Sequence, residues 1–201
     1  MKDKKTKPEQ YYIVKMKNKN GGRLPDEREM QENSQALNLL IKHGIDEQIF
    51  AQVLSILNKH NLILKKGTIV DSTLIAAPSS TKNADRKRDP EAHSVKKGNQ
   101  WYFGYKAHIG VDKDTGLVHH VKATAANVHD TEAANDLIHG DEDEIYGDSG
   151  YLNVEHVFGV VKRLFRFRRT QYKGLRKQQA KSNMIFALAN LYLADKKNLP
   201  A

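Results

Sequence analysis

Residues Gly67–Ile75 read GTIVDSTLI, and the fold turns on this stretch. It is short, β-branched and bounded by Gly67 and by Pro78, so it reads as a buried strand. A carboxylate, Asp71, stands in the middle of it. Burying an ionised carboxylate is costly unless it is paired or bound to a cation, so Asp71 is either a structural ion-pair partner or a functional group. Working outward, Trp101–Val111 and Leu117–Ala123 are two further strand candidates joined by Asp112-Lys-Asp-Thr-Gly116, which is turn chemistry for a hairpin. Between them and the first strand, Ala76–Gln100 is a long polar excursion with Pro78 and Pro90, read as a functional or mobile loop.

Downstream, Asp130 is placed as the N-cap of a helix from Thr131 to about His139. Glu144–Gly147 (EIYG) reads as a short strand leading into Asp148. The pattern becomes helical from Val154, and Ile185–Ala194 is a final apolar helix. Upstream, Pro25 and Asp26 open a helix that stops near Gly44, and an amphipathic helix with Ile49, Phe50, Val53, Leu54 and Leu57 on one face follows from Asp46. The order of strand, hairpin, helix, strand and helices gives a mixed α/β domain. Three segments are expected: a poorly ordered basic tail over 1–23, a helical N-terminal part over 24–64, and the core over 65–201.

Composition narrows the chemistry. The chain of 201 residues has no cysteine, which excludes a disulfide framework, a thiolate metal site and cysteine catalysis. Its longest apolar stretch, Ile185–Ala194, spans about 15 Å as helix, half a bilayer core, so no membrane partner is expected and the protein is placed in the cytoplasm. The net charge of +9 is concentrated. Lys162–Lys181 carries nine basic residues and no acid (Lys162, Arg163, Arg166, Arg168, Arg169, Lys173, Arg176, Lys177 and Lys181), and the rest of the chain balances at 24 of each sign. Phe165, Phe167, Tyr172 and Leu175 are interleaved. Such a stripe suits a phosphate-tracking surface, or else is a solvated face held to its own core by the aromatics.

Asp71 and Asp148 both lie on strands, and Asp148 is followed by the turn Ser149-Gly150. Two strand-borne acids with a third from a helix would suit hard divalent cations, which take oxygen ligands and promote phosphoryl transfer. Singly, either acid could be a turn former or half of an ion pair. His108, His119, His120 and His129 offer a rival imidazole site. No pair has the helical spacing of a zinc motif, and adjacent His119 and His120 are expected on opposite strand faces, which favours surface or hydrogen-bonded histidines. Ser149 lacks the G-x-S-x-G elbow of a nucleophile.

Five blocks in order carry a resemblance: Gly67–Ile75, Lys97–Asp112 (KGNQWYFGYKAHIGVD), Thr124–Asp130 (TAANVHD), Gly147–Tyr151 (GDSGY) and Val154–Phe158 (VEHVF). Together they resemble the bacterial insertion-sequence transposases of the DDE class, IS-five type, over about Ile63 to Ala194. Leu24–Glu27 and Gly44–Phe50 resemble fragments of the family's N-terminal part. The resemblance implies an RNase H-like mixed sheet with flanking helices and a cut-and-paste reaction on DNA. By it, Asp71, Asp148 and Glu155 would be the catalytic carboxylates holding two Mg²⁺ ions, with Mn²⁺ as a substitute. Lys162, seven positions after Glu155 as in the family's signature, would contact DNA near the cut, and a homodimer on DNA, associated with the nucleoid, is the expected working form. The sequence departs from the family in one place. Only seven positions separate Asp148 from Glu155, where the family has several dozen. The signature's Tyr and Arg would fall on Asp148 and Tyr151, so both are missing. This is the pattern of an internal deletion that removes one strand and one helix. It leaves three readings: an enzyme with a shortened core, a non-catalytic DNA-binding relic, or a pseudogene product that does not fold stably because the sheet has lost a strand.

Overall fold

The computed structural model describes residues 27–82, 86–140, 142–147 and 152–196. The expected tail over 1–23, the helix opening at Pro25 and Asp26, and the turn Asp148–Tyr151 lie outside the described residues. Two helices come first, α1 (Glu27–Lys42) and α2 (Ile45–Lys59), joined at Gly44, whose φ of 63° is left-handed and suits glycine. Then follow strands β1 (Gly67–Ala76), β2 (His93–Lys97), β3 (Gln100–Asp112) and β4 (Val118–Ala125). Helix α3 (Asp130–Ala134) runs into a 3₁₀ turn (Asn135–Leu137), and β5 (Glu144–Gly147) closes the sheet. Helix α4 (Leu152–Gly159) widens into a π turn (Val160–Leu164), and α5 (Leu175–Lys196) ends the described chain.

β3 is the spine of this mixed five-stranded sheet. It pairs antiparallel with β1, β2 and β4, while β5 lies parallel to β1, with Gly67 opposite Glu144 and Val70 opposite Gly147. A mixed sheet of this order with flanking helices is compatible with an RNase H-like fold. Period-2 alternation sends Ile69, Ile75, Ala107, Ile109 and Val111 to one face. There they form one cluster with Val53 and Leu57 of α2, Val154 and Val157 of α4, and Ile185, Phe186 and Leu193 of α5. The α3–3₁₀ segment lies at the opposite face, where a Cβ on Gly110 would come within 2.1 Å of the Leu137 carbonyl oxygen.

Five expectations need correction. The polar excursion Ala76–Gln100 contains β2, hairpinned to β3 through Gly98-Asn99, where Gly98 supplies a φ of 60°. The cap of α3 is His129, whose Nδ1 accepts from the Thr131 N–H at 3.5 Å, and not Asp130. That helix stops at Ala134 and tightens to 3₁₀ instead of reaching His139. The last helix begins ten residues before Ile185, at Leu175. Its polar first half reads as surface in sequence, yet Gln178, Ser182 and Asn183 are buried, and side-chain amides of α5 serve the β4 backbone. Gln179 accepts from the Ala123 N–H (2.6 Å) and donates to the Val121 carbonyl (3.0 Å), while Asn190 accepts from the Val118 N–H (2.8 Å) and donates to its carbonyl (2.7 Å). Finally, His119 and His120 do not diverge. The ladder slips between Gly110 and Val111, and this bulge brings their Nδ1 atoms to 2.7 Å.

Candidate functional site

Asp71 lies opposite Ile109 across the β1–β3 ladder, on the face that carries the hydrophobic cluster, and it is half-buried. Its Oδ1 accepts from the Ser72 N–H at 2.6 Å. The described pairing of β5 with β1 runs from Gly67 to Val70, the residue before Asp71. Further along, Ala76 forms a parallel bridge with Arg169: its N–H donates to the Arg168 carbonyl (3.0 Å) and its carbonyl accepts from the Thr170 N–H (2.8 Å). The edge of β1 between these two contacts borders a cavity of about 1000 Å³.

Cations converge on that cavity. Lys97 from β2, Lys106 from β3, Lys162 from the π turn and Arg168 from the segment before α5 all line it together with Asp71. The π turn re-aims the residues that follow Gly159, and such turns frequently occur at functional sites. Burial, with Lys97 and Arg168 nearby, lowers the Lys162 pKa below the usual lysine range, while Asp71 works the other way. A half-buried ammonium crowded by like charge gains from an arriving anion.

A second acid, Asp130, lines the same cavity from the other side of the sheet. Its Oδ1 accepts from Lys106 Nζ and from Ser72 Oγ, both at 2.9 Å, and lies 3.5 Å from His108 Nδ1. Burial opposes ionisation of Asp130, but the Lys106 and Ser72 hydrogen bonds hold its carboxyl below the usual range. His108 is buried, which pushes its pKa down to about 4. Its Nε2 lies 2.8 Å from Thr124 Oγ1, whose hydroxyl also reaches the Ala125 carbonyl at 3.1 Å. Sequence reasoning missed the roles of Asp130, Lys97 and Lys106. The Gly98-Asn99 turn was the available signal for β2 and hence for Lys97.

The expected site residues are only partly brought together. Asp71 and Lys162 share the cavity; Asp148 lies outside the described residues. Glu155 is exposed on α4 and is not among the described residues that line the cavity. Of the basic stripe, Arg163, Arg166, Arg168, Arg169 and Lys173 are exposed, and Phe167 anchors them by its buried ring. Arg176 is exposed as well but is held by the protein's own acids, donating to both oxygens of buried Asp46 (2.8 and 3.1 Å) and to Glu47 (3.0 Å). Lys177 donates to Ser34 Oγ of α1 at 3.0 Å.

Among the described residues, no helix is long and apolar enough to cross a membrane. No solved structure matches the chain. Residues 63–154, a stretch that takes in Asp71 and Asp148 and stops one residue before Glu155, match the family model described as a transposase DDE domain, and over that stretch the chain is similar to the DDE transposases.

Proposed function

We propose that the protein acts in transposition of an insertion sequence of the IS-five type, as a DDE transposase that cleaves DNA at the element's ends and joins them to a target. The observation that carries this reading is the cavity at the edge of β1, where the Asp71 carboxylate stands among Lys97, Lys162 and Arg168. Carboxylate oxygens are the donor type that Mg²⁺ and Mn²⁺ select, so Asp71 fits such an ion, and Asp148 and Glu155 would complete the set. When bound, such ions supply charge compensation at the attacking and leaving oxygens of a phosphodiester. The chain's own groups do the positioning. Lys162 and Arg168 hold the non-bridging phosphate oxygens beside Asp71, and Lys97 extends the same positive wall. Arg163, Arg166, Arg169 and Lys173 track the neighbouring backbone, which makes affinity strongly salt-dependent. A homodimer would hold two ends, in the cytoplasm at the nucleoid.

A second reading, a DNA-binding protein without chemistry, also has an observation behind it. Glu155 does not line the cavity among the described residues, and only seven positions separate it from Asp148, as an internal deletion would leave them. A nicking assay separates the two. Supercoiled plasmid carrying the element's ends is incubated with Mg²⁺ or Mn²⁺ and with wild type, Asp71→Asn or Glu155→Gln. Metal-dependent nicking lost in both variants supports the enzyme. Folded wild type that binds DNA but nicks no more than Asp71→Asn supports the second reading.

A further inference from the structure

The bulge in β4 assembles a cluster of imidazoles remote in chemistry from the carboxylate site. Val118 pairs with Val111 and His120 with Gly110, so His119 is the extra residue. Its ring centroid lies 5.0 Å from that of His120 and 4.1 Å from that of His139, and the His120 and His139 centroids are 4.9 Å apart. One ring nitrogen from each of the three falls within 4.8 Å of the others. His119 is buried, and His120 and His139 are half-buried, which leaves one side of the cluster open to water.

The surrounding hydrogen bonds decide which nitrogen His119 offers. The Glu142 carboxylate accepts from the N–H groups of His139 and Gly140 (the latter at 2.7 Å) and from Thr68 Oγ1 at 3.0 Å. A carboxylate that receives three donors is an acceptor only, so the Thr68 hydroxyl spends its proton there. The Thr68 oxygen, 3.1 Å from His119 Nε2, can then only accept from that nitrogen. His119 thus carries its proton on Nε2 and turns the Nδ1 lone pair toward His120. A hydrogen bond from the other ring N–H fixes tautomer and orientation in metal-bound histidines, and here the Thr68 hydroxyl, held by Glu142, accepts it. Glu142 has a second effect, because the same carboxylate pins the turn that delivers His139.

We propose that His119, His120 and His139 form a binding site for one divalent transition-metal ion of the zinc type, with water as the fourth ligand. Neutral imidazoles suit Zn²⁺, and not the Mg²⁺ that carboxylates hold, so the site is separate from the one at Asp71. The proton between the two Nδ1 atoms, 2.7 Å apart, belongs to His120, and on binding it passes through water to the Nε2 of His120, so that ring stays neutral while its Nδ1 lone pair takes the ion. With Zn–N bonds of about 2.0–2.1 Å and tetrahedral angles, the two nitrogens part to about 3.3 Å. His139 and Glu142 lie on the connection from the 3₁₀ turn to β5, so the ion staples that connection onto the β4 bulge.

The test uses the untagged full chain and needs no transposition activity. Protein is dialysed against Zn²⁺, its metal content is measured, and the visible spectrum is recorded with Co²⁺ as the probe. The expected results are one Zn²⁺ per chain, an intense tetrahedral Co²⁺ band, and a melting temperature that rises with Zn²⁺. Affinity should fall at least tenfold in His120→Gln and in His139→Gln, whose half-buried positions favour retention of the fold; circular dichroism checks this. Absence of stoichiometric uptake by the wild type overturns the proposal, as does uptake unchanged in the His120→Gln/His139→Gln double variant. If a variant fails to fold, the wild-type Co²⁺ spectrum still decides, because a weak octahedral band refutes an imidazole site of this geometry.

Discussion

Replacing Asp46 with alanine should cost about 3 kcal/mol and unfold α1, α2 and the sheet in one step. Asp46 is fully buried in the first turn of α2, and its Oδ2 accepts from Arg176 Nη1 (2.8 Å) and from Asn183 Nδ2 (3.0 Å) on α5. Its Oδ1 accepts from Arg176 Nη2 at 3.1 Å. Breaking a buried ion pair costs about 3–5 kcal/mol when the surviving charge is stranded. Two features pull this case to the low end. The Arg176 side chain is 42% exposed and stays hydrated, and Glu47 still holds it at 3.0 Å. What cannot recover is the buried Asn183 amide, which loses its acceptor. For a chain of this size, about 3 kcal/mol corresponds to a fall of about 6–12 °C in melting temperature. Arg176→Ala should cost at least as much, since it leaves the fully buried carboxylate short of its charged partner. Urea unfolding monitored by fluorescence and far-ultraviolet circular dichroism checks both. A loss below about 1 kcal/mol in Asp46→Ala, or a first transition confined to residues 27–59, would refute the idea that this pair joins the N-terminal helices to the core.

Two further outcomes follow from the same structure. The His108 pKa lies at about 4, below its unfolded value of 6.5, so the unfolded chain binds the extra proton first and stability falls as pH drops from about 6.5 to 4; over that window the loss is about 3 kcal/mol, and it should shrink in His108→Gln when both proteins are titrated by urea unfolding. Lys162→Ala and Arg168→Ala should each reduce the slope of log affinity against log salt by about 1 without changing sequence preference, as read by fluorescence anisotropy on a DNA duplex; an unchanged slope in both would remove the cavity from the DNA path.

Legibility in the sequence followed the strength of local pattern. β1, the β3–β4 hairpin and β5 announce themselves through β-branched runs and through Asp112-Lys-Asp-Thr-Gly116, and the structure shows why that turn is so well specified. Asp112 accepts from the N–H groups of Leu64, Lys65, Asp114 and Thr115 and from the Thr115 hydroxyl. Three of those donors lie within three residues of it in sequence. What was not legible depended on distant partners. The polar first half of α5 makes sense as a packed face only once β4 offers Gln179 its Ala123 N–H and Val121 carbonyl. The His119–His120 pairing depends on a register slip, and alternation alone predicts the opposite. Arg176 looks like one more charge in a basic run until Asp46, 130 residues earlier, is brought beside it.

The candidate site and the imidazole cluster both draw on β1, and its alternation keeps them apart. Thr68 and Asp71 are three residues apart, an odd spacing, so they face opposite sides of the sheet. Thr68 serves the relay from Glu142 to His119, and Asp71 faces the core side near Lys162. β5 connects the two: its start is fed by the connection that carries His139 and Glu142, and its end, Gly147, lies opposite Val70 beside Asp71. An ion held by the histidines would therefore act on the carboxylate site through the placement of β5, without touching it. Zinc binding to His119, His120 and His139 should accordingly raise stability in Asp71→Asn as much as in wild type. It should slow amide exchange in β5 in both proteins, whether or not either one cuts DNA.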